Sequence, residues 1–483
     1  MAKAVLLLLL VLSLLFLTLG WAQQDPEREL EQCRKECLQR PEGQKHHCQE
    51  ECERRYREQQ EQQEKRGRGE EGNRKGSERE EEEERRRNPY HFTGERFRER
   101  VRTDHGWVRV LEDFVKQSEL LRGIANYRVS LLEANPHTFV LPAHFDAEGV
   151  FYVDRGRGTI TFLGEEDKQT YNLEQGDVIR VHAGTTVYIT NRDRNEKLQI
   201  VKLFQTVSTP GRYEAFYGPA GRNPESFFRA FSDSTLGASF NNRETETLQR
   251  LFEHQDQGAI VKAREEQIKE IGRHASSGGG SWPFGGGESG GPVNLLRQRP
   301  VHSNQYGNLR QIDENEYPHL RSLDISVALA NITAGGMAAP YYNSRATKVA
   351  VVTEGNGYFE MACPHVGSKG RKQKGQGTVE QYERISGELR PGHVVVIPAG
   401  HPALIVASQG RNLEVVCFNI NFRNNQRYFL TGKNSIYRNM DDEEIALSFN
   451  SPVEEVRRVL NANKDEVFTR GPEGGREGHR AFA

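Results

Sequence analysis

The chain repeats itself, and that repeat limits the folds open to it more than any other feature does. Gly176-Asp177-Val178-Ile179-Arg180-Val181-His182-Ala183-Gly184 recurs as Gly392-His393-Val394-Val395-Val396-Ile397-Pro398-Ala399-Gly400. Downstream, Ser239-Phe240-Asn241 recurs as Ser448-Phe449-Asn450, each inside a helix-like stretch rich in Glu, Arg and Leu. Self-similarity at one long interval means that a single structural unit is present twice. Short runs rich in β-branched and aromatic residues fill both copies: 127–132, 149–163, 177–181, 187–190 and 199–207, then 320–330, 347–362, 393–398, 402–407 and 413–422. Broken by Gly-containing turns, they predict antiparallel barrels or sandwiches. The expected fold is mainly β, two tandem jelly-roll barrels, each followed by a helical arm.

The N-terminus settles the compartment. Lys3 precedes an apolar run over residues 5–17, and Gly20 and Ala22 supply the small residues of a cleavage site. This predicts a secretory signal over 1–22, too short for a retained membrane anchor. No later run is apolar enough to span a bilayer, so no membrane partner is expected. With 483 residues there is room for two or three domains, and a net charge of −2 supplies no global field toward nucleic acid. Residues 54–88 are almost wholly Arg, Glu, Gln and Gly. Such a segment buries too little apolar surface to offset ordering, and its acidic residues interleave with the basic ones, so 61–88 reads as a solvated linker rather than an RNA-binding arm.

Cys33, Cys37, Cys48 and Cys52 form C-x3-C twice, ten residues apart. That spacing sets each pair one helical turn apart on one face. Two such helices folded back on each other can join Cys33 to Cys52 and Cys37 to Cys48, the nested pairing among three. In an exported chain a disulfide-stapled helical hairpin over 23–60 is favoured over a zinc site. The pattern resembles the α-hairpinin peptides in the N-terminal extensions of many vicilins.

The paired Gly-to-Gly stretches resemble the second cupin motif, and the segments ending at Gly156 and Gly355 correspond to the first. Asn135-Pro136-His137-Thr138, Pro142-Ala143-His144-Phe145-Asp146-Ala147 and Tyr342-Asn343-Ser344-Arg345-Ala346 resemble signatures of the vicilins, 7S seed storage globulins built as bicupins. The resemblance covers about residues 88–468. It implies an N-terminal barrel with its arm over 89–272, a Gly-rich linker over 273–298, a C-terminal barrel with its arm over 299–470, and a tail over 471–483.

Enzymatic cupins hold a metal with three His and one Glu. Carried onto this chain, those positions fall on Pro142, His144, Gly149 and Val187 in the first barrel and on Tyr341, Asn343, Lys348 and Ala403 in the second. One ligand of eight survives, so no catalytic centre is expected, and a lone His144 reads as a hydrogen-bonded barrel residue. The alternative, an oxalate oxidase-like or dioxygenase-like cupin, keeps the fold and loses the chemistry. A different donor set stands in the second repeat. Cys363 and His365 are two apart on an expected strand and so share a face. His401 follows the Pro398-Ala399-Gly400 turn, where the first repeat has Thr185. Thiolate and imidazole suit copper or zinc. Some vicilins bind copper through such residues and a Tyr of the N-terminal segment, which implies Tyr90 here. The competing account makes Cys363 a buried thiol or the disulfide partner of Cys417.

Asn331-Ile332-Thr333 is a glycan acceptor motif at an expected strand end. The Gly runs around Trp282-Pro283-Phe284 lack the Lys-Ser/Thr ending of a phosphate loop, so nucleotide is not expected. Arg, Gln and Asn abound, whereas four Met and six Cys leave little sulfur. The resemblance implies a nutrient reservoir sent to protein-storage vacuoles, partly by the apolar tail Arg480-Ala481-Phe482-Ala483, and cut by processing and germination proteases at its exposed linkers. Leu248, Leu251, Phe252, Val456, Val459 and Leu460 give the arms apolar faces, through which vicilins interlock head to tail as trimers. Allergenicity is a family expectation, and defence by a released hairpin is an added one.

Overall fold

The computed structural model describes residues 88–165, 168–242, 244–276, 290–364 and 382–473, with 33–37, 41, 45, 48–49 and 51–56 near the N-terminus. The expected signal segment, the charged linker up to residue 87 and the tail from residue 474 lie outside those residues. Two compact units divide the chain, 1–84 and 85–483.

In the N-terminal unit, residues 33–37 and 51–56 are helical. Cys33 is bonded to Cys52 and Cys37 to Cys48, with Cα atoms 5.9 and 5.6 Å apart. The nested pairing expected from the spacing is the one observed. The sulfurs of Cys33, Cys37 and Cys52 cluster because they are bonded, which leaves no thiolate set for zinc. Arg34 reaches Glu53 at 2.8 Å and adds one ion pair beside the bridges.

In the larger unit, each repeat closes as two facing antiparallel sheets. The first repeat's longer sheet orders its strands as Val293–Asn294, Asp177–Val181, Ala147–Arg155, Leu198–Thr206, Tyr127–Ala134, Gly106–Leu111 and Phe97–Thr103. Ala215–Phe216, Thr138–Phe145, Thr186–Asn191, Gly158–Leu163 and Lys168–Leu173 oppose it. The second repeat has the same plan. His91–Phe92, Val394–Ile397, Thr347–Glu354, Leu413–Ile420, Ile325–Ile332, Gly307–Ile312 and His302–Asn304 face Glu383–Leu389, Gly357–Cys363, Ala403–Ala407, Gly336–Asn343 and Arg427–Phe429.

Strand alternation builds two cores from one strand. On Ala147–Arg155, Phe151 and Val153 enter the first barrel with Ile160 and Phe204, whereas Val150 and Tyr152 join a second cluster shared with the other repeat. Strands buried on both faces read as continuous apolar runs, which explains Val394–Ile397 and residues 349–352. Gly156 and Gly355 end the paired strands with φ of +84° and +79°, and a Cβ at either would strike the backbone carbonyl of Lys197 or Asn412.

The barrels exchange their leading segments. His91–Phe92, which precedes the first repeat, pairs with Val394–Val395 of the second barrel. Val293–Asn294, which precedes the second, pairs with Asp177–Val178 of the first. Phe92 and Leu295 are fully buried as a result. The expected linker 273–298 therefore ends as structure, with the turn Leu295–Arg297 set by the Asn294 side chain accepting from the Arg297 amide.

Two further expectations need adjustment. The strand expected from 320 begins at Ile325, because Pro318 opens a 3-10 helix over Pro318–Leu323. The arms are the helices Asp233–Ser239 and Thr245–Leu251 in the first repeat and Asp442–Phe449 and Val453–Leu460 in the second. Leu248, Phe252 and Val456 pack inward; Leu251, Leu447 and Val459 are left outside, at 62, 86 and 69 % exposure.

Candidate functional site

The cupin ligand positions come first, because they decide whether either barrel is equipped for catalysis. In the first barrel, alternation along Thr138–Phe145 turns Ala143 into the interior, and the His144 ring lies stacked on Phe216 at 5.0 Å with Phe227 edge-on at 6.0 Å. His144 is thus placed by aromatic packing. The interior instead holds Lys202, whose amine lies 5.5 and 5.7 Å from the Phe151 and Phe204 ring centroids in a cavity of about 180 Å³. In the second barrel, Tyr341, Asn343, Lys348 and Ala403 all line one cavity, of about 40 Å³. The positions converge as the motif requires, but the donors are a phenol, an amide, an amine and a methyl. Burial holds both lysines down, Lys202 to about 8 and Lys348 to about 8.

Three of the four expected copper donors come together in the second barrel, beside the end of Gly357–Cys363. Cys363 closes Gly357–Cys363 and has no exposed surface. Tyr90 is carried in by the leading segment: its carbonyl accepts from Val396 N at 2.9 Å, and the Asn88 side chain donates to Ser386 O at 2.9 Å. The Cys363 thiol donates to the Tyr90 hydroxyl at 3.6 Å. His401 sits after Gly400, which turns the chain with φ of +77°, and its ring lies 5.9 Å from that of Tyr90. His401 Nδ1 donates to the Ala399 carbonyl at 3.0 Å, which fixes the tautomer and orients the ring. His365 lies outside the described residues.

The electrostatics follow from burial. Desolvation pushes the Tyr90 phenol up, and the neighbouring Cys363 adds to it. For His401 burial works downward, but the bonds to Cys363 and the Ala399 carbonyl outweigh it, and the ring is raised overall. Cys363 and Cys417 are both buried thiols outside the disulfides, so the alternative bridge between them is not formed. Phenol, thiol and imidazole, dry and mutually in reach, are a chemically fitting set for a soft or borderline transition metal.

Sequence reasoning missed three features. His91 Nε2 lies 3.1 Å from His393 Nδ1, and burial, then His393, holds His91 down to about 4. The pair was hidden because its members are 302 residues apart. Lys202 was also missed as an interior group, and Lys348, although placed at an inward ligand position, as a buried amine; the signal was a lysine at an inward position of an otherwise apolar strand. Asn331, the expected glycan acceptor, donates to Glu414 Oε1 at 2.5 Å and accepts from Asn412 Nδ2 at 3.1 Å.

Residues 293–457 match the cupin family model. A curated relative from Juglans regia, vicilin Jug r 6.0101, is 47 % identical over 493 residues, covering 98 % of this chain and 98 % of its own. The crystal structure of a vicilin from Corylus avellana superimposes with a TM-score of 0.72 at 48 % identity, over 80 % of this chain and 100 % of that one. A vicilin structure from Solanum melongena, described as revealing different anionic ligands in structurally similar pockets, does so with a TM-score of 0.75 at 40 % identity, over 80 % and 98 %.

Proposed function

The chain belongs to the vicilin family, and from that membership we propose that it is a homotrimeric nitrogen reservoir of seed protein-storage vacuoles, drawn down by proteases at germination. Vicilins are storage globulins, so the chain is a storage protein and not an enzyme. One observation carries the reading at the level of residues: the second barrel keeps the cupin cavity but lines it with Tyr341, Asn343, Lys348 and Ala403. A barrel that retains shape without ligands serves as a stable container for its own amino acids. Immunoblots across seed filling and germination test this. Accumulation in the vacuole followed by loss within the germination period is expected; a constant level through germination sinks the reading.

A second reading rests on the buried trio. We infer that Tyr90, Cys363 and His401, with His365 as fourth donor, hold copper. Bound there, copper would be kept as a structural or reserve ion, since a closed four-donor site leaves no open position for a substrate. The thiol and phenol both give up protons on binding, so affinity falls as the solution is acidified. Metal analysis of protein purified without chelators, repeated on Cys363→Ala, is the check. Loss of stoichiometric copper supports the site; retention in the variant removes it.

The barrel interiors support a third reading, in which each pocket takes a small anion as described for the Solanum melongena protein. Each cavity offers a buried lysine to such an ion, Lys202 in the first and Lys348 in the second.

A further inference from the structure

The second barrel gathers reactive groups that neither storage nor anion binding alone employs. Lys348, on Thr347–Glu354, bonds the Tyr341 hydroxyl and lies 4.5 Å from that ring's centroid. Arg427 opens Arg427–Phe429, lines the same cavity and is steadied by the Gln311 side-chain carbonyl. Among the described residues neither cation is held in an ion pair; Arg427 feels the Cys417 thiol and then the more distant charge of Asp313, and Lys348 feels no carboxylate. Leu309, Ile397, Ile405 and Phe468 supply apolar walls.

Two uncompensated cations in a hydrocarbon-walled cavity call for a small carboxylate. The amine has a second property. Burial and the Arg427 charge hold Lys348 down to about 8, the arrangement that turns a lysine into a nucleophile for carbonyl carbon. Cys417 lines the same cavity, but burial pushes its thiol up and keeps it protonated. The amine is therefore the group poised to react.

We propose that Lys348 condenses reversibly with a small 2-oxo acid, Arg427 holding the carboxylate and Tyr341 relaying protons. The nitrogen lone pair forms the N–C bond while the carbonyl π pair moves to oxygen. Both amine protons pass to that oxygen by way of the Tyr341 hydroxyl. The carbinolamine then loses water as the nitrogen pair closes the C=N bond. Nothing is oxidised or reduced, and hydrolysis reverses every step. The inference rests on reading this cavity as an anion pocket. Lys202 is the internal comparison: its amine is also buried, but the Arg100 guanidinium in its cavity is already committed to Glu214 at 3.4 Å.

The test uses the full-length protein at mildly alkaline pH with glyoxylate and cyanoborohydride, which reduces an imine to a stable carboxymethyl-lysine, followed by peptide mapping. Lys348 is expected to carry the group with at least about ten-fold higher occupancy than the exposed lysines Lys168 and Lys262, as its larger neutral fraction allows. Equal or lower occupancy overturns the proposal. Acetaldehyde, a carbonyl without a carboxylate, keeps the advantage of the neutral amine but loses that of Arg427, so the preference for Lys348 should fall well below the glyoxylate value, and so it should for Arg427→Gln with glyoxylate. The wild-type acetaldehyde comparison stands even where the variant fails to fold. Acetate separates the two readings. Acetate binding without a glyoxylate adduct removes the condensation and leaves the anion pocket; failure of both removes both.

Discussion

Lys202 lies between two phenylalanine rings and feels no charged neighbour, and its only perturbation is burial. Unfolded, it keeps its proton up to about 10.5; folded, only up to about 8. Across that window the folded state binds fewer protons, so this residue makes stability rise with pH. Lys202→Met is therefore expected to raise stability at pH 7 by about 1–3 kcal/mol, with the gain fading as pH climbs through the window. Urea midpoints at neutral and alkaline pH check it; a lower midpoint at pH 7 contradicts it. Asn331 offers the opposite case. Glu354 and Glu414 are Cα partners across two strands, and Asp154 also acts on Glu414, whose carboxyl is raised by burial and then by both acids. The Asn331 amide is what Glu414 has as a donor. Asn331→Asp would replace it with another carboxylate and cost about 1–3 kcal/mol at pH 7, recovered under acid conditions as the carboxyls protonate. For the same reason the intact mass is expected to show Asn331 without a glycan. None of these roles was legible in the sequence. A lysine in a strand ordinarily reaches water along its stem, and an N-x-T motif carries no record of what its amide will bond.

Elements were easier to read than residues. Strands with apolar runs bounded by glycines came through, and Asp177–Val181 was legible to the residue. Phe97–Thr103, Thr138–Phe145, Gly307–Ile312 and Gly336–Asn343 were not singled out, because charged or polar residues or a proline interrupt their apolar pattern. Pro318–Leu323 was misread because an apolar stretch does not distinguish a strand from a short helix once proline fixes its start. Cys363 and His401 were legible from local spacing, whereas Tyr90 required a family resemblance, since it lies in a turn before a two-residue strand and carries no signal of its own. The arms were legible as amphipathic, but the split of their faces was not. Leu248, Phe252 and Val456 are spent within the protomer, and Leu251, Leu447 and Val459 remain for a neighbour. Leu251→Glu combined with Val459→Glu is expected to shift sedimentation from trimer to monomer while the near-ultraviolet circular dichroism of the barrels is kept. A trimer that survives both substitutions rules out those arm faces as the contact.

At the scale of the whole molecule, the connection between the barrels is not what holds them together. Apolar side chains of both repeats form one cluster, and each leading segment is a strand of the other barrel. A protease cut between residues 277 and 289 is therefore expected to give two bands on a denaturing gel and one unchanged species on a native sizing column. Separation of the halves would contradict the pairing.

The traded leaders also bear on what a half-length version of this chain can be. A polypeptide with one repeat would carry a donor segment and, at the edge beside Val178 or Val394, an empty place of matching shape. Alone it would expose an unsatisfied sheet margin, the kind of edge that recruits whatever strand is near. Two copies would satisfy each other by a reciprocal clasp, a closed swap with no edge left over. The full chain is such a clasp with its two partners made covalent.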